Sequence, residues 1–258
     1  MKKILFFISI SLILCKVQLE ADSAEISPTI LKASNQIPDS FDWRERINFG
    51  KFENNQNSCA SSWAYATLEM LEALYAKEKG IYIKLSEQML IDCDTYDDGC
   101  NGGTIINALK WIKANGIMKA EDYPYRGTKG TCKADPSKYI DMKVTGYRQL
   151  GSISSPADEE VMKQVLYEDG PYIVGINSIG LYSYKSGILD LSKTKCPPND
   201  INHFPLLVGY GSTERIDYWI IKNSWGSSWG ERGYFRIARG KGVCGVNSSP
   251  IIANVSFE

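Results

Sequence analysis

Hydrophobic and polar positions divide this chain into a helical first half and a strand-rich second half. In residues 62–79 the apolar side chains recur at the three- and four-residue spacing of one helical face. They are Trp63, Ala66, Met70, Leu71, Leu74 and Tyr75. Gly80 follows as a natural stop, and Ser61 or Ser62 is the predicted N-cap.

Three more helices are predicted in the first two thirds of the chain. They cover SEQMLIDC from Ser86, TIINALKWIKAN up to Gly116, and ADEEVMKQVLYEDG, which Gly170 closes. From about residue 139 aromatic and β-branched runs between turn residues predict strands. These runs are PYIVGIN, LLVGYG, DYWIIKN and GYFRIAR. Helices followed by strands predict an α+β fold with two lobes, and the cleft between the lobes is the expected ligand site.

Composition narrows the class of function. The chain has 258 residues, 43% of them hydrophobic, which is enough for one large domain or two closely packed lobes. The formal net charge is −1, and no basic run is present. This balance excludes nucleic acid as the expected partner and gives no reason to expect membrane binding.

The N-terminus has the pattern of a secretory signal. Lys2 and Lys3 precede the twelve-residue apolar run ILFFISISLILC, which is too short to span a bilayer comfortably. We therefore expect a signal over residues 1–21, cleaved between Val17 and Ala24, and a secreted, extracellular product without a membrane anchor. Residues 22–36 are then a short N-terminal segment.

The cysteine count agrees with export. Of seven cysteines, Cys15 lies in the predicted signal, and the remaining six favour three disulfides in a secreted chain. Six cysteines allow fifteen pairings, and the count alone does not choose among them. The spacings are not of the C-x-x-C kind and His203 is the only histidine, so neither a metal nor another cofactor is expected. Asn247 and Asn254 begin the glycosylation triplets N-S-S and N-V-S.

The stretch QNSCASSWAY contains a partial signature of a nucleophilic site. The pattern C-G-[SA]-C-[WY] marks the nucleophile of papain-like proteases, with His and Asn roughly 130–150 residues downstream. Here the pattern reads Cys59-Ala60-Ser61-Ser62-Trp63, and His203 and Asn223 follow Ser62 at about 140 and 160 residues. Six more blocks occur in family order: IPDSFDWRE, LSEQMLIDCD, GCNGG, INHFPLLVGYG, DYWIIKNSWGSSWGERGYFRI and GVCG. Residues 37–258 therefore resemble a papain-family cysteine protease. Some segments are similar to the mite branch of that family.

The resemblance implies a fold and a role for each matching residue. It implies a mainly helical N-terminal lobe and a β-barrel-like C-terminal lobe, with the active-site cleft between them. It makes Gln56 the oxyanion donor, His203 the base and Asn223 the group that orients the imidazole, while Trp225 shields the His–Asn hydrogen bond. Gly102 and Gly103 would present backbone groups to an extended peptide, with Phe204 and Trp225 beside it. The implied disulfides are Cys59–Cys100, Cys93–Cys132 and Cys196–Cys244.

The reacting atom departs from the family pattern. A cysteine beside imidazolium at a helix N-terminus rests as a thiolate, whereas the Ser62 hydroxyl has to lose a proton during attack. Serine proteases support that step with a carboxylate, and replacing the carboxylate by an amide costs about 10⁴ in turnover. This chain has Asn223 at that place.

Other departures surround the same site. Asn57 and Ala60 stand where the family has glycine, and Phe204 stands where it has a small residue. Pro205 removes a backbone donor from a presumed strand. Residues 22–36 are also shorter than the family's inhibitory propeptide.

Three hypotheses follow. We favour a secreted, monomeric homologue without useful peptidase activity, which binds a peptide or protein in the cleft as a decoy or inhibitor. The alternative is an active peptide hydrolase that uses Ser62 and His203. In the third, the chain is a purely structural or allergen-like secreted protein whose cleft has no role. The simplest interpretation of Ser62 by itself is an N-cap, and that of His203 is a core histidine.

Overall fold

The helices lie largely in the first half of the chain. The computed structural model describes residues 37–49 and 54–257, so the predicted signal 1–21 and the segment 22–36 lie outside the described residues. The helices are α1 (Ser62–Lys79), α2 (Glu87–Cys93), α3 (Ile105–Asn115) and α4 (Glu159–Glu168). Short 3-10 turns occupy Trp43–Glu45, Gly99–Asn101, Pro136–Lys138, Ser178–Gly180 and Val243–Gly245.

Helix α1 is more deeply buried than its periodicity predicts. Every residue from Ser62 to Ala76 is buried, including Glu69 and Glu72, so the helix has no solvent-facing stripe before its last turn. It contacts α2 and α3 on one side and strands of the sheet on the other. Gly80 ends it in the left-handed conformation at φ 71°, as the sequence predicts.

Side-chain caps fix the starts of the other helices. The Ser86 hydroxyl accepts a hydrogen bond from the backbone N–H of Met89, and the Thr104 hydroxyl accepts one from Asn107. The Asp158 carboxylate accepts one from the Glu160 N–H, so α4 begins after Asp158 and is shorter than its predicted span.

The strands form one open sheet in the order β2-β8-β3-β5-β6-β7-β4, and β1 pairs with β5. Their bounds are β1 Phe41–Asp42, β2 Met142–Gln149, β3 Tyr172–Ile173, β4 Ile188–Leu189, β5 Leu206–Ser212, β6 Asp217–Lys222, β7 Tyr234–Ala238 and β8 Ile251–Phe257. The pairs along the path are antiparallel except β4 with β7. The fold class is therefore α+β, as predicted, and the sheet is open.

One strand is shorter than its predicted run for a backbone reason. PYIVGIN forms only the two-residue strand β3, after which the Val174 N–H donates to the Pro205 carbonyl at 3.1 Å. Pro205 has no N–H to return, so the regular ladder of β5 begins at Leu206, where the predicted run LLVGYG also begins. Ile176 and His203 then form an isolated bridge that fixes the histidine just ahead of β5.

Within residues 37–49 and 54–257, no helix is both long and apolar enough to cross a membrane. The same residues contain no cluster of histidine, cysteine and carboxylate groups able to hold a metal ion.

Candidate active site

Ser62 is the first residue of α1, where the helix dipole is positive. It is 9% exposed, and among the described residues its hydroxyl makes no hydrogen bond, including none to His203. The loop before it is held by the Cys59–Cys100 disulfide and by the Ala60 N–H, which donates to the Cys100 carbonyl at 3.0 Å. The predicted N-cap role belongs to Ser61, whose side chain makes no capping bond.

His203 and Asn223 form the hydrogen bond that the family resemblance implies. The distance from His203 Nε2 to Asn223 Oδ1 is 2.7 Å. Asn223 Oδ1 also accepts the Ser224 N–H at 2.9 Å, which fixes the orientation of the amide. An amide oxygen only accepts, so Nε2 carries the proton and Nδ1 of the neutral ring presents its lone pair.

Burial keeps the imidazole neutral. His203 is 4% exposed, and burial lowers its pKa from 6.5 to about 4, while the hydrogen bond with Asn223 opposes the decrease only in part. A thiolate next to the ring would favour imidazolium, but Ser62 supplies no resting anion. Near neutral pH the site therefore contains a neutral alcohol and a neutral, weakly basic ring.

An aromatic wall covers the His203–Asn223 pair. The Trp225 ring lies 5.0 Å from the His203 ring, centroid to centroid. Tyr182, 74% exposed, stacks on the outer side of Trp225 at 5.7 Å, and Trp229 packs edge-on at 5.1 Å. The wall limits solvent access to the imidazole, which accounts for the low pKa. Tyr182 carries no sequence signal that places it here.

The predicted oxyanion donor is held in place from both ends of its amide. Gln56 Oε1 accepts the Ser224 hydroxyl at 2.7 Å, and Gln56 Nε2 donates to the Cys59 carbonyl at 3.0 Å. The second hydrogen of Nε2 remains for a ligand oxygen. The family resemblance implies that this amide donates to a bound carbonyl, and a donor that is already fixed stabilises negative charge without having to reorganise.

The two predicted peptide-facing glycines have different local roles. Gly102 has φ 126°, which side chains rarely adopt, and a Cβ there would face open space. A Cβ on Gly103 would meet the Trp63 ring at 2.6 Å, so this position must be glycine for packing. Within the described residues neither the N–H nor the C=O of Gly103 makes a hydrogen bond, so both are available to an extended chain.

The departures near the nucleophile position are accommodated by the backbone. Asn57 takes the left-handed conformation at φ 50°, where asparagine is tolerated better than most residues. Its N–H donates to the Asn55 side chain at 2.9 Å, which stabilises the turn. Asn57 and Ala60 are both exposed and leave the loop intact.

Phe204 packs beside the histidine against a residue that lacks a side chain. A Cβ on Gly175 would lie 3.4 Å from the Phe204 ring and 2.8 Å from Ile201. The close approach at this position is therefore to Ile201, while the Phe204 ring lies at an ordinary van der Waals distance. A cavity of about 680 Å³ opens next to Phe204, lined by Ile153, Ile201 and uncharged polar residues. The sequence alone gave no reason to single out Gly175.

Three disulfides are present: Cys59–Cys100, Cys93–Cys132 and Cys196–Cys244. These are the pairings that the family resemblance implies. The first brackets the Ser62 loop and the third joins the segment before His203 to the turn after β7.

Buried charges connect the helix of Ser62 to the strand of Asn223. Lys222, the last residue of β6, donates to the Glu69 carboxylate of α1, and the Asn54 amide donates to the same oxygen at 2.7 Å. Lys84 pairs with Glu72 and Glu87 nearby. Burial raises the pKa of Glu69, and the Lys222 ammonium opposes the increase. Helical periodicity does not predict this network, although the lysine immediately before Asn223 is a usable signal in the sequence.

The family model described as papain family cysteine protease matches residues 37–254. This chain belongs to the papain family of cysteine proteases. A viral cathepsin of Adoxophyes honmai nucleopolyhedrovirus is 39% identical over 215 residues, which cover 83% of this chain and 61% of the relative. Cathepsin F of Drosophila melanogaster is 37% identical over 220 residues, which cover 82% of this chain and 35% of the relative. The chain thus spans about three fifths or less of the length of these curated relatives.

Solved structures agree with this assignment. Digestive procathepsin L 3 of Tenebrio molitor larval midgut superposes with a TM-score of 0.77 at 35% identity, covering 86% of this chain and 71% of the other. A structure from work on the mite allergens Blo t 1 and Der p 1 gives a TM-score of 0.77 at 31% identity, covering 87% and 73%. The papain-like architecture is therefore shared with these proteins over most of the chain.

Proposed function

We propose that this papain-family chain is a secreted pseudoprotease that binds peptide or protein segments in its cleft without hydrolysing them. The observation that carries the proposal is the pairing of a serine at the nucleophile position with a buried, neutral histidine. A base with a pKa of about 4 is poorly matched to neutral pH, where general-base catalysis favours a pKa near the operating pH.

The supporting amide makes attack harder still. The imidazolium that would form during attack by Ser62 is buried and is backed by the Asn223 amide instead of a carboxylate. Serine is a weaker nucleophile than a cysteine thiolate, and an amide stabilises the imidazolium less than a carboxylate does. Both groups are therefore the weaker choice for peptide hydrolysis. These two features favour inactivity over an active Ser62/His203 hydrolase.

Three features support binding of a peptide. They are the fixed amide of Gln56, the backbone groups of Gly103, which make no hydrogen bond within the described residues, and the uncharged cavity beside Phe204. We infer that the chain competes with active relatives for peptides or proteins, as a decoy or inhibitor, and works as a monomer. Secretion fits the three disulfides, which persist in oxidising compartments.

The test combines turnover with binding. The full chain is secreted from insect cells and assayed against a broad set of fluorogenic peptides from pH 4 to pH 8, with Ser62→Ala as the matched control. We expect wild type and Ser62→Ala to be indistinguishable. Turnover that Ser62→Ala abolishes would establish the active hydrolase and reject the proposal.

Binding is measured separately with fluorescein-labelled peptides from a casein digest, by anisotropy. Ser62→Tyr places a bulky ring at the cleft floor, and Lys113→Tyr places the same ring on an exposed position of α3 as the control. We expect saturable binding by wild type and Lys113→Tyr and a loss of at least tenfold in Ser62→Tyr. Equal binding by all three proteins would show that the cleft has no role.

A further inference from the structure

We propose that Asn254 carries an N-linked oligosaccharide and that Asn247, the other acceptor triplet, does not. The proposal concerns modification during secretion and does not depend on whether the cleft is active. In the reaction, Asn Nδ2 forms a bond to the anomeric carbon of a lipid-pyrophosphate-linked oligosaccharide. The bond from that carbon to the pyrophosphate oxygen breaks, the lipid pyrophosphate leaves, and the amide loses one proton.

The amide nitrogen of Asn247 is committed to the fold. Its Nδ2 donates to the Ala157 carbonyl at 3.0 Å, and the Asn247 carbonyl accepts the Ala157 N–H at 2.8 Å. A Cβ on Gly242 would lie 2.8 Å from Asn247 Oδ1, so the Gly242 backbone passes close to the same amide. Ser248, within the triplet, is 2% exposed. A sugar on this nitrogen would have to separate the Asn247 segment from the segment that leads into α4.

Asn254 has the opposite environment. It lies in β8 and is exposed, and Ser256, two residues on, is exposed on the same face of the strand. Within the described residues, neither side chain makes a hydrogen bond. The triplet asparagine and its hydroxyl therefore lie together on the surface with no bond to break.

The neighbouring strand leaves room for the sugar. Gly146 of β2 pairs with Asn254 at the point where the β2–β8 register shifts. A Cβ on Gly146 would lie 3.6 Å from Asn254 Nδ2, so the absent side chain leaves the space over the amide free. A shallow cavity of about 290 Å³ adjoins Asn254, and its rim includes Lys77, Arg148 and Asp169. Lys77 and Arg148 are both bonded to Asp169, so the rim beside the amide is already ordered.

The experiment uses the full chain, secreted from insect cells through its own leader. Peptide-N-glycosidase treatment in ¹⁸O water converts each glycosylated asparagine to labelled aspartate, which peptide mass spectrometry locates. Ser256→Ala and Ser249→Ala each remove one triplet while keeping both asparagines, and Asn254→Gln is the second variant for the proposed site.

We expect the label at Asn254 in wild type and in Ser249→Ala, and loss of all label and of the glycan mass in Ser256→Ala and Asn254→Gln. A label at Asn247, or a wild-type chain without glycan at either position, overturns the proposal. The peptidase assay is separate, so a glycosylated but active protein would reject the proposed function and leave this inference standing.

Discussion

Proton binding at His203 provides a sharp test of the site because the chain contains one histidine and its signals need no assignment. The perturbation is pH. A displacement of the pKa from 6.5 to about 4 corresponds to about 3 kcal/mol against charging the folded ring. At pH 7 about one ring in a thousand is protonated.

The same pKa shift sets the direction in which the free energy of unfolding changes with pH. Between about pH 6.5 and about pH 4 the unfolded chain binds this proton and the folded chain does not, so the free energy of unfolding falls as the pH is lowered. The His203 contribution is fully present above pH 6.5, and about 3 kcal/mol of it is lost by about pH 4. His203→Gln, which cannot titrate, should lack this part of the slope in urea unfolding.

The assay is NMR of the ring carbons in ¹³C-histidine-labelled protein from pH 3.5 to pH 8. Wild type and Ser62→Ala should titrate near 4, whereas Ser62→Cys should titrate higher because a thiolate stabilises imidazolium. A wild-type midpoint at 6.5 or above would show that the ring is not desolvated, and the reasoning about the site would be wrong.

Four further changes test separate parts of the account. Ser62→Cys introduces a thiol that iodoacetamide should alkylate below pH 7; alkylation that begins only near the ordinary pKa of about 8.5 would show that the site no longer activates a thiol. Replacing Cys59 and Cys100 by alanine opens a link with a sequence separation of 41, which should lower the free energy of unfolding in urea by about 4 kcal/mol; an unchanged midpoint would contradict this. Lys222→Met leaves the Glu69 carboxylate buried without its ammonium and should cost about 3–5 kcal/mol, most of which Glu69→Gln in the same chain should restore; a loss that persists in the double variant would mean that the charge is not the cause. Gly175→Ala places a methyl group 2.8 Å from Ile201 and should cost about 1–3 kcal/mol in urea unfolding; an equal cost in an Ile201→Ala background would rule out this contact as the reason.

The sequence predicted the elements whose signals are local. The period of α1 and its terminal Gly80 identified that helix, and the aromatic and β-branched runs identified β5, β6 and β7. The site residues were found through the order and spacing of short blocks, which survive when a single residue such as Ser62 changes.

Other features depend on contacts distant in sequence. Glu69 and Glu72 look like the polar face of a helix, but each is buried against a lysine from another segment. The low pKa of His203 depends on its burial beneath Trp225. The residues next to position 203 in the sequence do not reveal that burial. Gly175 acquires a role only because Ile201, in another segment, occupies the space beside it.

The central claim is that Ser62 does not act as a nucleophile. Intact-protein mass spectrometry after incubation with a reactive aryl ester and with a serine-directed phosphonate tests it directly, with Ser62→Ala as the control and unfolded protein as the measure of background. The account predicts that wild type and Ser62→Ala acquire the same mass distribution, with no adduct at residue 62. A stoichiometric acyl or phosphonyl group on Ser62 Oγ, absent from Ser62→Ala, would contradict it.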